Sequence, residues 1–181
     1  MAPEAVYASI GGETEAADRL LDLLPERGVV TCPPELLGSV RRRRNCDAAF
    51  LNDLIVVRRG EETLNRLTSA VRLSGDNTVE YAPFGASFNI HGSPLVWAHE
   101  ILEQSCVLGI MSGGKLVSVA SLVAWLPKMA VIQGVETKPE FRGKGFGSAV
   151  VSAAVQEGLK RSDCCSLSMR SGNEAATLYR R

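Results

Sequence analysis

The chain lacks any imbalance of charge, with twenty lysines and arginines against twenty aspartates and glutamates in 181 residues. That removes the broad basic footprint of a nucleic-acid or anionic-membrane binder, so neither partner is expected. It lacks an uninterrupted apolar run of membrane-spanning length. Its opening, Met1-Ala2-Pro3-Glu4, is acidic and has neither the basic nor the apolar region of a signal peptide. Five cysteines without one Cys-x-x-Cys pair argue against a disulfide framework and a zinc site. The two histidines are His91 and His99, and His99-Glu100 has no second histidine at zincin spacing, so no metal is expected. No cysteine lies in the basic setting that a Cys–His mechanism needs. Repeats and low-complexity segments are also missing. These absences lead to the expectation of a soluble, cytoplasmic protein of one domain, or one domain with an extension.

What is present is strongest after residue 100. Cys106 to Met111 reads as a strand, Ser112-Gly113-Gly114-Lys115 as a hairpin turn, and Leu116 to Trp125 as the returning strand. Leu126-Pro127-Lys128 turns again into Met129–Thr137, rich in apolar and β-branched residues. Pro139 ends that strand. Val151, Ala154, Val155, Gly158 and Leu159 then recur at helical spacing, with Glu157 and Arg161 four apart on the polar side. Cys165 to Met169 is a further strand, which a helical crossover makes parallel to its predecessor, and Cys164 and Cys165 should point to opposite faces. Ser171-Gly172-Asn173 opens a last helix running to Arg181. Antiparallel strands leading into a parallel βαβ unit make an α+β mixed sheet.

The first hundred residues give weaker signals and read as an α-rich extension. Glu13 to Leu24 reads as a helix stopped by Pro25, and Thr31-Cys32-Pro33-Pro34-Glu35 as the start of a short helix through Leu37. Arg41 to Arg44 is either a phosphate contact or a solvated loop or helix end, and the solvated reading is the ordinary one. Leu54 to Val57 is a strand, and Glu61 to Arg72 is an amphipathic helix with Leu64, Leu67 and Val71 on its apolar side. Ser74 to Asn77 is a turn. Pro83, Gly85, Gly92 and Pro94 break any long element between Glu80 and Pro94, and Leu95 to Glu103 forms one more short helix.

The chemistry concentrates at Arg142-Gly143-Lys144-Gly145-Phe146-Gly147, between strand and helix. A glycine loop opening a helix exposes unpaired N–H groups at the positive end of the macrodipole. An anion such as a pyrophosphate can approach such a backbone closely, with Arg142 and Lys144 adding charge beside it. The spacing is Gly-x-Gly-x-Gly, not the Gly-x-Gly-x-x-Gly of a dinucleotide fold, and a proline-containing turn separates it from the strand. Gly109 to Lys115 approaches a Walker A loop, but Leu116 stands where magnesium needs Ser or Thr, and a strand follows. Gly134, inside a strand pattern, marks a bulge or a close backbone approach.

Val135-Glu136-Thr137-Lys138-Pro139-Glu140-Phe141-Arg142-Gly143-Lys144-Gly145-Phe146-Gly147 resembles the acyl-CoA signature of the GNAT superfamily of N-acyltransferases, an Arg or Gln, two residues, Gly, one residue, then Gly or Ala. The wording is closest to the branch that includes glycine N-acyltransferase-like enzymes, and the resemblance covers roughly residues 106–181. It implies that the strand splays from its parallel neighbour and offers the backbone of Val135 and Thr137 to the pantetheine arm of acetyl-CoA or another short acyl-CoA. Arg142, Gly143, Lys144, Gly145, Phe146 and Gly147 would then hold the pyrophosphate. Asn173 to Tyr179 resembles the second block of the family, in which an Asn contacts the cofactor arm and Tyr179 protonates the departing thiolate. The Leu-Tyr pair falls one residue early relative to Asn173, which leaves capping of the helix as its other role. Glu136, on the central strand near the expected thioester, is the first candidate for the general base.

The family normally continues with two more strands, so the resemblance implies that another part or chain supplies that edge, or that it stays exposed. A boundary is expected near residue 100, with 1–100 a substrate-side segment, a degenerate second half of the fold or a dimerisation arm, and 101–181 the acyl-CoA core. The expected activity is transfer of an acetyl or short acyl group to a primary amine by direct attack in a ternary complex. The acceptor, a small molecule or a peptide or protein amine, is left open, as is a homodimer. The rival expectation is a non-catalytic acyl-CoA sensor or regulatory module.

Overall fold

The computed structural model of the chain describes residues 6–9, 19, 22, 28–32, 36–43, 52–62, 69–88 and 92–179. They divide into two compact units, Met1–Leu51 and Asn52–Arg181. In the first, strands β1 (Val6–Ser9) and β2 (Gly28–Thr31) pair in parallel, from Val6 opposite Gly28 to Ser9 opposite Thr31. Of the helix expected between them, Arg19 and Asp22 are helical and the rest lies outside the described residues. Helix α1 (Leu37–Arg43) starts where the short helix was expected to end, because Thr31 still belongs to β2. Leu36 and Val40, four apart, are buried, while Arg41 and Arg42 of the basic run are exposed on the helix.

The second unit is built on a six-stranded mixed sheet. Its elements in chain order are β3 (Asn52–Arg58), β4 (Ala70–Arg72), α2 (Thr78–Tyr81), α3 (Pro94–Gln104), β5 (Cys106–Ser112), β6 (Lys115–Trp125), β7 (Met129–Thr137), α4 (Phe146–Leu159), β8 (Cys164–Arg170) and α5 (Ala176–Tyr179). The strand order is β3-β8-β7-β6-β5-β4. Gly113 and Gly114, at φ 56° and 74°, make the two-residue turn that joins β5 to β6. Leu126 and Met129 exchange backbone hydrogen bonds of 3.0 and 3.1 Å to turn β6 into β7. α4 then carries the chain over to β8, which runs parallel to β7 from Met129 opposite Cys164 to Ile132 opposite Leu167. Cys165 is buried and Cys164 half-buried, as alternation along a strand requires.

Helices cover both faces. α4 closes one, over Leu108, Ile110, Val117, Leu122, Ile132 and Leu167. Gly158 lets it come close: a methyl there would lie 2.5 Å from Cys165 Sγ. Val151 and Val155 of the expected helical stripe are only partly buried, whereas Ala149, Val150, Ala154, Gly158 and Leu159 face inward. The other face is covered by α2, α3 and the 3-10 stretch Ala82–Phe88, packed over Leu73, Val107, Leu116 and Val119. The broken segment after Glu80 is therefore compact, and its Tyr81 and Phe84 are each only 1% exposed.

Three expectations are corrected. Ala70–Arg72 is a strand, not the end of a helix; it pairs with β5 from Ala70 opposite Ile110 to Arg72 opposite Leu108, because the open edge of β5 offers a ladder that a three-residue apolar stripe cannot outweigh. Residues 63–68 of that helix lie outside the described set. The last helix begins at Ala176 and not directly after Ser171-Gly172-Asn173; its described part is α5, and Arg180 and Arg181 lie outside the described residues. A boundary at residue 100 differs from the observed division after Leu51, since β3 and β4 belong to the same sheet as everything downstream. β3 pairs antiparallel with β8 along its whole length, Asn52 opposite Arg170 to Arg58 opposite Cys164. The edge of β8 that resemblance left open is thus covered by an upstream strand of the same chain.

Candidate functional site

β7 ends in a 3-10 turn at Pro139–Phe141, where the Phe141 N–H donates to the Lys138 carbonyl at 2.9 Å and the Arg142 N–H to the Pro139 carbonyl at 3.2 Å. Gly143 and Gly145, at φ 73° and 84°, then reverse the chain into α4 through conformations that L side chains resist. Gly145 is the N-cap residue and supplies no capping side chain; the first helical bond runs from the Ala149 N–H to its carbonyl at 3.0 Å. The amides from Gly143 to Ser148 donate to no group among the described residues. A methyl at Gly143 would meet nothing within 4 Å, so the loop is open at that position. Phe146 packs against the α4-side core and meets Phe141 edge-on at 6.2 Å, which fastens both ends of the loop.

Both cations of the loop are exposed and folded back on the turn. Arg142 Nε donates to the Thr137 carbonyl at 3.1 Å, and Lys144 Nζ donates to the Glu140 carbonyl at 3.1 Å while lying 5.2 Å above the Phe141 ring. Positive charge, bare N–H groups and a helix dipole on one small surface form an anion site of pyrophosphate type.

Upstream, Gly134 at φ 61° is the extra residue of a β-bulge: Val119 faces Glu136 but Ser121 faces Gln133, so β7 carries one residue more than β6. Beyond the bulge, the Lys138 N–H donates to the Val117 carbonyl at 2.9 Å. Alternation then turns the backbone groups of Glu136 and Lys138 toward β6 and those of Val135 and Thr137 away from it. On that side the ladder with β8 stops at Ile132 and Leu167, although β7 continues to Thr137 and β8 to Arg170. The N–H and C=O of Val135 therefore face a gap between splayed parallel strands. The Thr137 carbonyl also accepts from Arg142 Nε, and the Thr137 hydroxyl lies 2.8 Å from Ser118 Oγ.

The side chains expected to act lie on both faces. Glu136 shares the α2–α3 face with its cross-strand neighbour Val119, and its Oε2 is buried without a hydrogen-bond partner among the described residues. Tyr179 is half-buried against the α4-side core, and burial pushes its phenol above the usual tyrosine range, so it keeps its proton at neutral pH. Asn173 is exposed, and its Oδ1 accepts the Ala175 N–H at 2.9 Å, the capping role left open by its register. His91 lies outside the described residues, and His99 is exposed on α3. Two residues on the Glu136 face, Tyr81 and Ser121, went unseen in the sequence. Tyr81 is stacked on Trp97 and Phe84, and its hydroxyl is 3.5 Å from Ser121 Oγ.

Known proteins with this arrangement can now be set beside it. Residues 77–181 match the model of the Acetyltransferase (GNAT) family. No curated protein matches the chain by sequence. Among solved structures, a GCN5-related N-acetyltransferase from Kribbella flavida superposes with a TM-score of 0.61 at 14% identity, over 94% of this chain and 73% of its own. A ribosomal-protein-alanine N-acetyltransferase from Brucella melitensis biovar Abortus 2308 gives 0.55 at 20% identity, over 62% of this chain and 88% of its own. A GNAT-family protein from Novosphingobium aromaticivorans DSM 12444 gives 0.55 at 19% identity over 71% of this chain, which spans 60% of that protein's length. At these identities the structures speak for the fold alone. The family match takes in the bulged strand, the glycine loop, α4 and β8, and it extends over more than half of the sequence: the chain belongs to the GNAT acetyltransferase family.

Proposed function

We propose that the protein is an N-acetyltransferase that moves an acetyl or short acyl group from acyl-CoA to a primary amine by direct attack in a ternary complex. One observation carries the reading: the unpaired amides of Gly143 to Ser148 head a fourteen-residue helix, beside the gap between β7 and β8. The amides and the Arg142 guanidinium would hold the pyrophosphate, and the Val135 backbone would pair with the pantetheine arm. Acyl-CoA supplies an activated thioester carbonyl. The chain supplies the rest. The Val135 amide can donate to the oxygen that gains charge as the amine adds. Glu136 takes the proton that the attacking nitrogen sheds, and Tyr179, protonated at neutral pH, gives one to the departing sulfur. A thioester lying in the gap is reachable from both faces, which fits a base on one and an acid on the other.

The acceptor is an amine of a small molecule, peptide or protein; the Val-x-Thr-x-Pro-Glu wording favours the glycine N-acyltransferase-like branch and hence a free amino acid. Isothermal titration with acetyl-CoA, followed by thiol release over a panel of amino acids, polyamines and peptides, tests both halves. Absence of binding at millimolar acetyl-CoA refutes the site. Binding without thiol release, unchanged by Tyr179→Phe, favours a regulatory acyl-CoA module, a second reading that the capping role of Asn173 supports.

A further inference from the structure

Tyr81 is 1% exposed, and its ring is stacked on Trp97 at 5.2 Å and on Phe84 at 6.2 Å. A buried phenol needs a hydrogen-bond partner, and its neighbour, Ser121 Oγ, stands at 3.5 Å, the outer limit of such a bond. Across the same face, Glu136 Oε2 has been taken out of water without receiving a donor. An unmatched carboxylate oxygen and an under-used phenolic donor are complementary deficits. The two groups already sense one another: burial raises the Tyr81 pKa most, the Ser121 hydrogen bond lowers it, and the charge of Glu136 raises it again. Cross-strand register puts Ser121, Val119 and Glu136 on one face, with α2 above them. Among the described residues, the titratable or charged groups facing the carboxylate are Tyr81 from α2 and Lys138 from the end of β7. Lys138 Nζ is 5.2 Å above the Phe84 ring, and Ser121 of β6 and Trp97 of α3 are neutral.

We propose that Tyr81 is the positioning residue of Glu136: its hydroxyl, held by the aromatic stack, donates to one carboxylate oxygen and aims the other at the acceptor amine. The inference rests on the reading of Glu136 as the base. A glutamate has three side-chain torsions to fix, and a rigid neutral donor fixes them without cancelling the charge that makes the carboxylate basic. A lysine in the same place would hold the group as firmly and make it a poorer base.

Tyr81→Phe keeps the stack and removes the hydroxyl. Its kcat should fall about tenfold, well below the roughly hundredfold or more that loss of a general base costs. Acetyl-CoA affinity should stay unchanged. The acid limb of the kcat–pH profile should move to higher pH, because a carboxylate that loses a donor ionises less readily; a merely structural role would leave that limb in place. In a crystal structure of the wild-type protein with CoA, the Tyr81 hydroxyl should lie within about 3.0 Å of a Glu136 oxygen. A variant with wild-type kcat and an unmoved acid limb overturns the inference, as does a CoA-bound structure in which Tyr81 meets Ser121 alone. If Tyr81→Phe does not fold, the crystal structure decides. If the wild type releases no thiol with any amine, the acyl-transfer reading fails, while the Tyr81–Glu136 contact is still judged by that structure.

Discussion

Replacing Gly158 with alanine tests how α4, and with it the glycine loop, is seated on the sheet. The added methyl would lie 2.5 Å from Cys165 Sγ, 3.0 Å from Ala130 Cβ and 3.3 Å from Leu122 Cδ2, one atom from each of β8, β7 and β6. The last two contacts can relax by a few tenths of an ångström. The first cannot relax cheaply, because Cys165 is 1% exposed on a short side chain and its thiol is directed at the Val155 carbonyl at 3.6 Å. Overpacking of this kind costs about 1–3 kcal/mol. Alanine returns about 0.8–1 kcal/mol through helix propensity. The net expectation is a loss of up to about 2 kcal/mol in urea unfolding followed by tryptophan fluorescence. Cys165→Ala alone opens a small cavity and costs about 1 kcal/mol. In the double variant the new methyl takes the space of the sulfur, so the combined loss should be smaller than the sum by about 1–2 kcal/mol. A displaced helix carries the Gly143 to Ser148 amides with it, so acetyl-CoA affinity should drop in the single variant and recover in the double one. A Gly158→Ala protein more stable than wild type, or strictly additive losses, would refute the reasoning by showing that α4 rides further from the sheet.

Other expectations concern the site and its surroundings. Gly145→Ala places a side chain at φ 84°, at a cost of about 1–2 kcal/mol, and sets a methyl among the open amides; acetyl-CoA affinity by titration calorimetry should fall at least about tenfold, and an unchanged value would remove the loop from the site. Burial pushes the Cys165 thiol up to about 11, so at pH 8 iodoacetamide should label the half-buried Cys164 and leave Cys165 intact in mass-mapped peptides. Because that pKa is raised on folding, its stabilising effect is full below about 9 and is lost as pH climbs toward about 11; the urea midpoint of wild type should drop more steeply across that window than that of Cys165→Ala. Glu136→Gln removes a charge that raises the Tyr81 pKa, so the phenol should titrate lower in carbon-13 NMR, and an unmoved curve would deny the coupling.

The part of the fold that could be read in the sequence is the part held by neighbours in the chain. β5, β6 and β7 follow one another through two tight turns, and Gly113-Gly114 and Pro127 announce them. The glycine loop was legible for the same reason: strand end, turn and helix start lie within ten or so residues, and each has its own residue chemistry. Leu54 to Val57 could be recognised as a strand, but nothing local says that it pairs with Cys165 to Ser168. Ala70-Val71-Arg72 misled because three residues carry no usable period and the partner edge lies far along the chain. Tyr81 and Phe84 were hidden among glycines and prolines, where a helical turn passes into a 3-10 stretch and burial depends on the sheet beneath. The Asn173 cap, by contrast, was visible as soon as its register was counted.

The pairing of β3 with β8 has a consequence for how the protein is made. Ser171 Oγ donates to Asp53 Oδ1 at 2.7 Å across 118 positions of chain, so the contact joins segments synthesised far apart in time. As the polypeptide leaves the ribosome, the Asn52–Arg58 segment emerges early and must wait, with Ile55 and Val57 uncovered, until its partner is delivered after all the other strands. Closure of so distant a loop makes the final step slow and leaves a sticky edge exposed in the interim, the interval in which a chaperone is most useful and a neighbouring nascent chain most dangerous.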